Sequence, residues 1–195
     1  RMLQVVKSPV SADVIAQAWH PHGEYIGVYL NLFAAAYNTN LVKTDEVPKS
    51  YEDLKAPRWR GRLAIEVDDA PWFAAILGEL GEDNGGKLFR DIVTTNGMSV
   101  RKGHTLLANM VAAGEVPLAL TVFSYKSDQL ARAGAPIRTF YLPPVIALAT
   151  SMAVARCATH PHAAVLLYDF IIEEAQEILA RRDGIPTNPK VRPLP

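Results

Sequence analysis

Two aspartates, Asp68 and Asp69, close an alternating run from Arg62 to Val67 that reads as a β-strand. The carboxyl end of a strand is where α/β folds place ligand contacts. An apolar helix opens at Pro71, with Trp72 in its first turn. Two readings fit the aspartates: ligand contacts, or a solvated turn that caps the helix. Two further helix starts carry candidate binding chemistry. Thr105 opens a helix to Ala113 as its expected N-cap, and Gly114 lies just past the end. Phe123-Ser124-Tyr125 opens another, directly after the apolar strand Val116 to Val122. Free backbone N–H groups and the helix dipole make such ends anion sites. Thr105, Ser124 and Tyr125 are therefore candidate contacts, whereas Phe123 reads as ordinary packing.

Other patterns carry less. Gly81 to Lys87 matches most of a phosphate loop, but Leu88 stands where a Mg²⁺-binding Ser or Thr is required, and a helix precedes it instead of a strand. It reads as a Gly-rich turn between helices. Two His-Pro-His triplets, His20 to His22 and His160 to His162, hold imidazoles, but proline between them marks a turn or helix start rather than a zinc site. His104 reads as a surface or supporting residue. Ser124 has no nucleophile-elbow pattern around it. Cys157 is the lone cysteine, so no intrachain disulfide forms, and it reads as a small buried apolar residue. No catalytic residue, metal ligand or cofactor motif emerges.

The elements that must position these residues alternate. After a short helix, Ser11 to Ala18, an extended run covers Tyr25 to Tyr37. Helices are expected from Ser50, from Pro71 to Leu80, Gly86 to Thr95, Thr105 to Ala113 and Phe123 to Ala133. Two more run from Pro161 to Ile172 and from Glu173 to Arg182. Strands fall between them, at 62–67, 116–122 and 137–142, and a second long extended run covers Val145 to Ala155. This order is that of an α/β fold. The tail from Ile185 to Pro195, rich in proline, reads as irregular. With 195 residues, 49% of them hydrophobic and 21% charged, the chain can bury a sizeable core. Lysine plus arginine and aspartate plus glutamate both count 20, and no basic cluster breaks the balance, so nothing points to nucleic acid. No apolar run is long enough to insert in a membrane.

Several stretches together resemble bacterial extracellular solute-binding proteins, in the branch that includes ferric-iron binders. They are Tyr37-Asn38-Thr39-Asn40-Leu41-Val42, Val47 to Leu54 (VPKSYEDL) and Pro57 to Ile65 (PRWRGRLAI). Gly114 to Leu120 (GEVPLAL), Ala163 to Phe170 (AAVLLYDF) and Gly184 to Pro189 (GIPTNP) extend the likeness in the same order. The resemblance implies a type 2 periplasmic-binding fold, with two α/β lobes, two crossover strands and a ligand cleft between them. It implies 1–37 as the remainder of lobe one with the first crossover strand, 38–142 as lobe two, and 143–195 as the return strand with helices of lobe one. The N-terminal part of lobe one and the secretion signal are expected to lie outside this sequence. By that resemblance the chain is not an enzyme. It captures a small solute (ferric iron, a ferric chelate or a small anion) for the membrane permease of an ABC importer, in the periplasm or outside the cell. Iron enters there as transported solute and not as cofactor.

The resemblance adds Tyr37, at the end of a crossover strand, to the ligand-binding candidates. The full set is Tyr37, Asp68, Asp69, Trp72, Thr105, Ser124 and Tyr125. Ferric-iron members place two adjacent tyrosines at the start of the second-lobe helix. Here Phe123-Ser124-Tyr125 supplies one, so a small anion held by helix ends fits at least as well as directly coordinated Fe³⁺, and a chelated metal stays open. Two rivals share related folds: a ligand-sensing receptor domain, and a transferase that would need a reactive cysteine in the cleft.

Overall fold

The computed structural model describes residues 2–182 and 184–192. It divides into two compact units, one built from residues 1–31 and 147–195 and the other from 32–146. The chain passes between them at Asn31–Leu32 and at Ile146–Ala147.

The 32–146 unit is built on strands β1 (Ile26–Asn38, of which Leu32 onward belongs here), β2 (Leu63–Glu66), β3 (Ser99–Arg101), β4 (Leu118–Phe123) and β5 (Ile137–Phe140). Strand β2 pairs in parallel with both β3 and β4, while β1 runs antiparallel to β4 and β5. Helices α1 (Ala70–Leu80), α2 (Glu82–Asn96), α3 (His104–Ala113) and α4 (Ser124–Arg132) complete the unit. Side chains alternate across a strand, and β1 uses both faces. Phe33 and Tyr37 join a cluster with Trp59, Trp72, Phe89 and Ile92. Ala34 and Ala36 face the other way, with Ala64, Ala119, Leu107 and Val111. Small alanines on that face let α3 lie close to the strands. Each fully buried Leu or Ile contributes about 1.5–3 kcal/mol.

Local chemistry moves some boundaries from those the sequence suggests. Helix α2 starts at Glu82 rather than Gly86, because Glu82 and Asp83 suit a first turn. Gly85 and Gly86 of the phosphate-loop lookalike thus lie inside a helix, and Gly81 is its N-cap. A Cβ on Gly85 would stand 2.8 Å from Leu77 Cδ2, so Gly85 serves close packing of α1 against α2. Helix α3 is capped by Gly103 at φ 99°, not by Thr105. Its other end is closed by Gly114 at φ 82°, and the Asn38 amide donates to the carbonyls of Val111 (2.8 Å) and Ala112 (3.3 Å). The short strand β3 has no counterpart in the sequence reading.

In the other unit, β6 (Ala147–Met152) and β7 (Ile185–Pro186) join the first half of β1. Helices α5 (Pro161–Ile172) and α6 (Ala175–Arg181) follow β6. Two short 3-10 turns, Pro9–Asp13 and Ala16–Ala18, replace the single helix expected there. Over its described residues, 185–192, the tail is also less irregular than its prolines suggest, and 193–195 lie outside the described residues. Thr187 Oγ1 donates toward the carbonyls of Gly27 and Val28, each at 2.9 Å. The fully buried Gln176 amide donates to Val28 and Ile171, and its oxygen accepts the Asn188 N–H. Cys157 is exposed rather than buried, in the turn that follows Val154.

Candidate functional site

Strands β2, β3 and β4 are parallel, so their carboxyl ends share one edge, and α1, α3 and α4 each begin there. None of the three helices has a side-chain N-cap hydrogen bond. First-turn amides at this edge are thus not taken up by their N-cap side chains.

The edge is centred on Glu66, Asp69 and His104. Glu66 ends β2 and is 4% exposed. Its backbone N–H donates to Thr121 Oγ1 at 3.0 Å on β4. Its two carboxylate oxygens accept N–H groups from Gly103 at 2.8 Å and Asp68 at 2.5 Å. Glu66 thereby ties the starts of α1 and α3 to the strand ends. Asp69, the N-cap of α1, sets Oδ1 3.2 Å from His104 Nε2, while its Oδ2 is buried with no partner. His104 Nδ1 lies 3.4 Å from the Thr121 carbonyl oxygen. Burial pulls the His104 pKa down. The Asp69 carboxylate, aided by the Thr121 carbonyl and the Glu66 charge, outweighs it and holds the pKa above the usual histidine value. Among the described residues, these three form the cluster able to offer three ligand atoms to a metal ion. The His-Pro-His triplets contribute nothing to it, and His160 and His162 are exposed.

An aromatic group borders the cluster. The Phe123 ring lies 4.0 Å from that of His104 and 5.4 Å from that of Phe33. Tyr125 stacks on Phe123 at 6.0 Å and is half-buried.

The sequence-derived candidates separate in this setting. Asp68, Asp69, Thr105, Ser124 and Tyr125 all stand at the carboxyl edge. Asp68 and Thr105 are exposed, and Ser124 is half-buried. Trp72 points the other way and is 2% exposed, with its ring against Tyr51, Phe73 and Phe89. Tyr37 is also buried, edge-on to Phe140. Both rings are occupied by the core. The sequence pattern places Glu66 within a strand and reads His104 as a surface or supporting residue, so neither stands among the candidates. The available signal was three carboxylates within four positions, Glu66 to Asp69, at the end of an apolar strand.

A strand-end cluster flanked by helix starts without side-chain caps suits binding. Residues 4–194 match the family of bacterial extracellular solute-binding proteins, and the chain belongs to that family, whose members bind solutes and are not enzymes. The Fe(3+)-binding periplasmic protein of Serratia marcescens is 27% identical over 210 residues, covering 96% of this chain and 62% of that protein. Among solved structures, iron-bound HitA from Pseudomonas aeruginosa superposes with a TM-score of 0.85 at 22% identity, covering 100% of this chain and 66% of its own. AfuA from Actinobacillus pleuropneumoniae, with fructose-6-phosphate bound, gives 0.82 at 20% identity with the same coverage. The fold is that of the type 2 periplasmic-binding proteins. The chain spans slightly less than two thirds of the length of these relatives. Among the described residues no helix is long and apolar enough to cross a membrane.

Proposed function

We propose that this chain is part of the solute-capturing component of an ABC importer, working outside the cytoplasmic membrane. Its solute is a ferric ion that arrives with an anion. The observation that carries the reading is the placement of a phenol, an exposed carboxylate and helix starts without side-chain caps along one strand edge. Tyr125 and Asp68 offer hard oxygen donors suited to Fe³⁺, and the first turns of α3 and α4 offer amides to its anion. Thr105 and Ser124 supply hydroxyls at those turns. With Phe123 and Ser124 beside Tyr125, a single tyrosine serves this helix start. A chelating anion would fill the coordination that a second phenolate gives elsewhere. Iron-bound HitA and sugar-phosphate-bound AfuA support the two halves of this reading, metal and anion, on the same fold. Solute binding favours a closed arrangement, and the membrane permease receives the cargo.

The test is a melting-temperature screen of the full-length protein against ferric citrate, citrate alone and phosphate. A ligand at a hundred times its Kd adds about 2.7 kcal/mol of stability. Ferric citrate is expected to raise Tm more than citrate, and Tyr125→Phe to erase the difference. Equal shifts with citrate and ferric citrate would mean an anion receptor without iron. No shift with any of them would end the solute assignment made here.

A further inference from the structure

Asp69 Oδ1 and His104 Nε2 stand 3.2 Å apart, a spacing that a proton on the ring or a metal ion can bridge. The Thr121 carbonyl can only accept, so its contact with His104 places a proton on Nδ1. In the neutral ring Nε2 then carries a lone pair, and it points at Asp69 Oδ1 from 3.2 Å. Two acceptors at that distance repel unless a second proton or a metal ion lies between them.

Three observations favour a metal ion. First, donor atoms bound to one tetrahedral zinc at about 2.0–2.2 Å stand roughly 3.3–3.6 Å apart, and the 3.2 Å between Nε2 and Oδ1 admits such an ion with little movement. Second, ligand atoms from Glu66, Asp69 and His104 all lie within 4.8 Å of one another. Third, Asp69 Oδ2 has no hydrogen-bond partner although its side chain is only 4% exposed. A buried carboxylate oxygen left bare is costly, and a cation would relieve it. The surrounding contacts are those that hold metal ligands in place. A backbone carbonyl fixes the His104 ring. The Gly103 and Asp68 amides orient Glu66 and leave each of its oxygens a free lone pair.

We propose that Glu66, Asp69 and His104 form a binding site for a divalent d-block cation such as zinc, made of residues other than the solute contacts proposed above and completed by a small inward movement of the three side chains. An imidazole with two carboxylates selects such ions over magnesium or calcium, which prefer oxygen alone. His104 stays 20% exposed, so an ion can enter from solvent. A bound ion would lock the starts of α1 and α3 to the end of β2.

The experiment uses chelator-treated full-length protein without iron or added anion, titrated with ZnCl₂ by calorimetry and then with CoCl₂. Saturable binding, one ion per chain, is expected, with visible Co²⁺ bands of low coordination. His104→Gln and Asp69→Asn should each weaken binding about tenfold or more, the size of loss seen even for residues that support ligands. Glu177→Gln, a surface change, should not. If either site variant fails to fold, proton NMR of the Co²⁺-loaded wild type decides. A paramagnetically shifted, exchangeable imidazole N–H reports His104 as a ligand, and its absence overturns the proposal. So does a wild type that binds neither ion, or binding that survives both variants. Because ferric citrate is screened separately, either reading can fail while the other stands.

Discussion

The interior of the 32–146 unit is filled by large side chains. Trp59, Trp72, Leu54, Ile76, Ile92 and Leu107 are all essentially inaccessible to solvent. In the unit formed by 1–31 and 147–195 the apolar cluster is smaller, made of residues such as Val6, Val14, Ile26, Val154, Tyr168 and Ile172. Gln176, Thr187 and Asn188 are buried in that unit as well, and α5 leaves Leu166, Leu167 and Phe170 exposed at 72%, 56% and 40%. Both units bury polar side chains, Asn38, Asn96 and Thr121 among them in the continuous segment, so what separates the two is the size of the apolar core. Function follows the same division. Positioning carboxylates to within a few tenths of an ångström needs a stiff support, and the candidate site lies at the edge of the densely packed unit.

The largest expected effect tests the packed side. Trp59 is 0% exposed, with the guanidinium groups of Arg58 and Arg62 over its ring at 5.5 and 5.6 Å. Trp59→Ala should cost about 3–5 kcal/mol in urea unfolding. A loss below about 1 kcal/mol would mean that this core is not what holds the unit together.

Next in size is an effect of alkali. Burial pushes the Tyr51 phenol up to about 12, with the Trp72 indole acting weakly in the other direction. The folded pKa lies above the unfolded one. The contribution is therefore complete below about pH 10 and lost as pH rises toward 12, on the order of 2–3 kcal/mol in all. Wild type and Tyr51→Phe, compared by unfolding at pH 8 and pH 11, should draw apart in that direction, with the wild type losing more. Parallel pH profiles would show that the ring is wetter than its packing against Trp72 and Phe89 indicates.

The smallest effect belongs to the other unit. Leu166→Ser on the exposed face of α5 should change stability by no more than about 0.5 kcal/mol. A marked loss in the same unfolding assay would show that α5 is covered in solution, and the contrast between the two units would narrow.

Much of this was legible in the sequence, for local reasons. Pro71, Pro161, Gly81 and Gly114 mark helix ends by backbone geometry alone, and the alternation in 62–67 gives β2. Strand β3 was not legible. Ser99, Val100 and Arg101 are few and mostly not buried, and only pairing with β2 makes them a strand. The site was half legible. Asp68, Asp69 and Tyr125 follow from being next to strand ends. Glu66 and His104 come together because β2 lies parallel between β3, which leads into α3, and β4, whose Thr121 reaches both residues. Trp72 and Tyr37 sit beside the right elements, but the pleat of the strand and the turn of the helix carry their rings into the core.

The polar knot around Gln176 has a consequence for how the tail lets go. A single amide group holds the carbonyl of Val28, the carbonyl of Ile171 and the N–H of Asn188, and Thr187 grips the neighbouring stretch of β1. Such bonds cannot be undone one at a time without stranding a buried partner. The tail, β1 and the α5–α6 junction should therefore exchange their amide hydrogens at a common rate, as one cooperative opening rather than a fraying end.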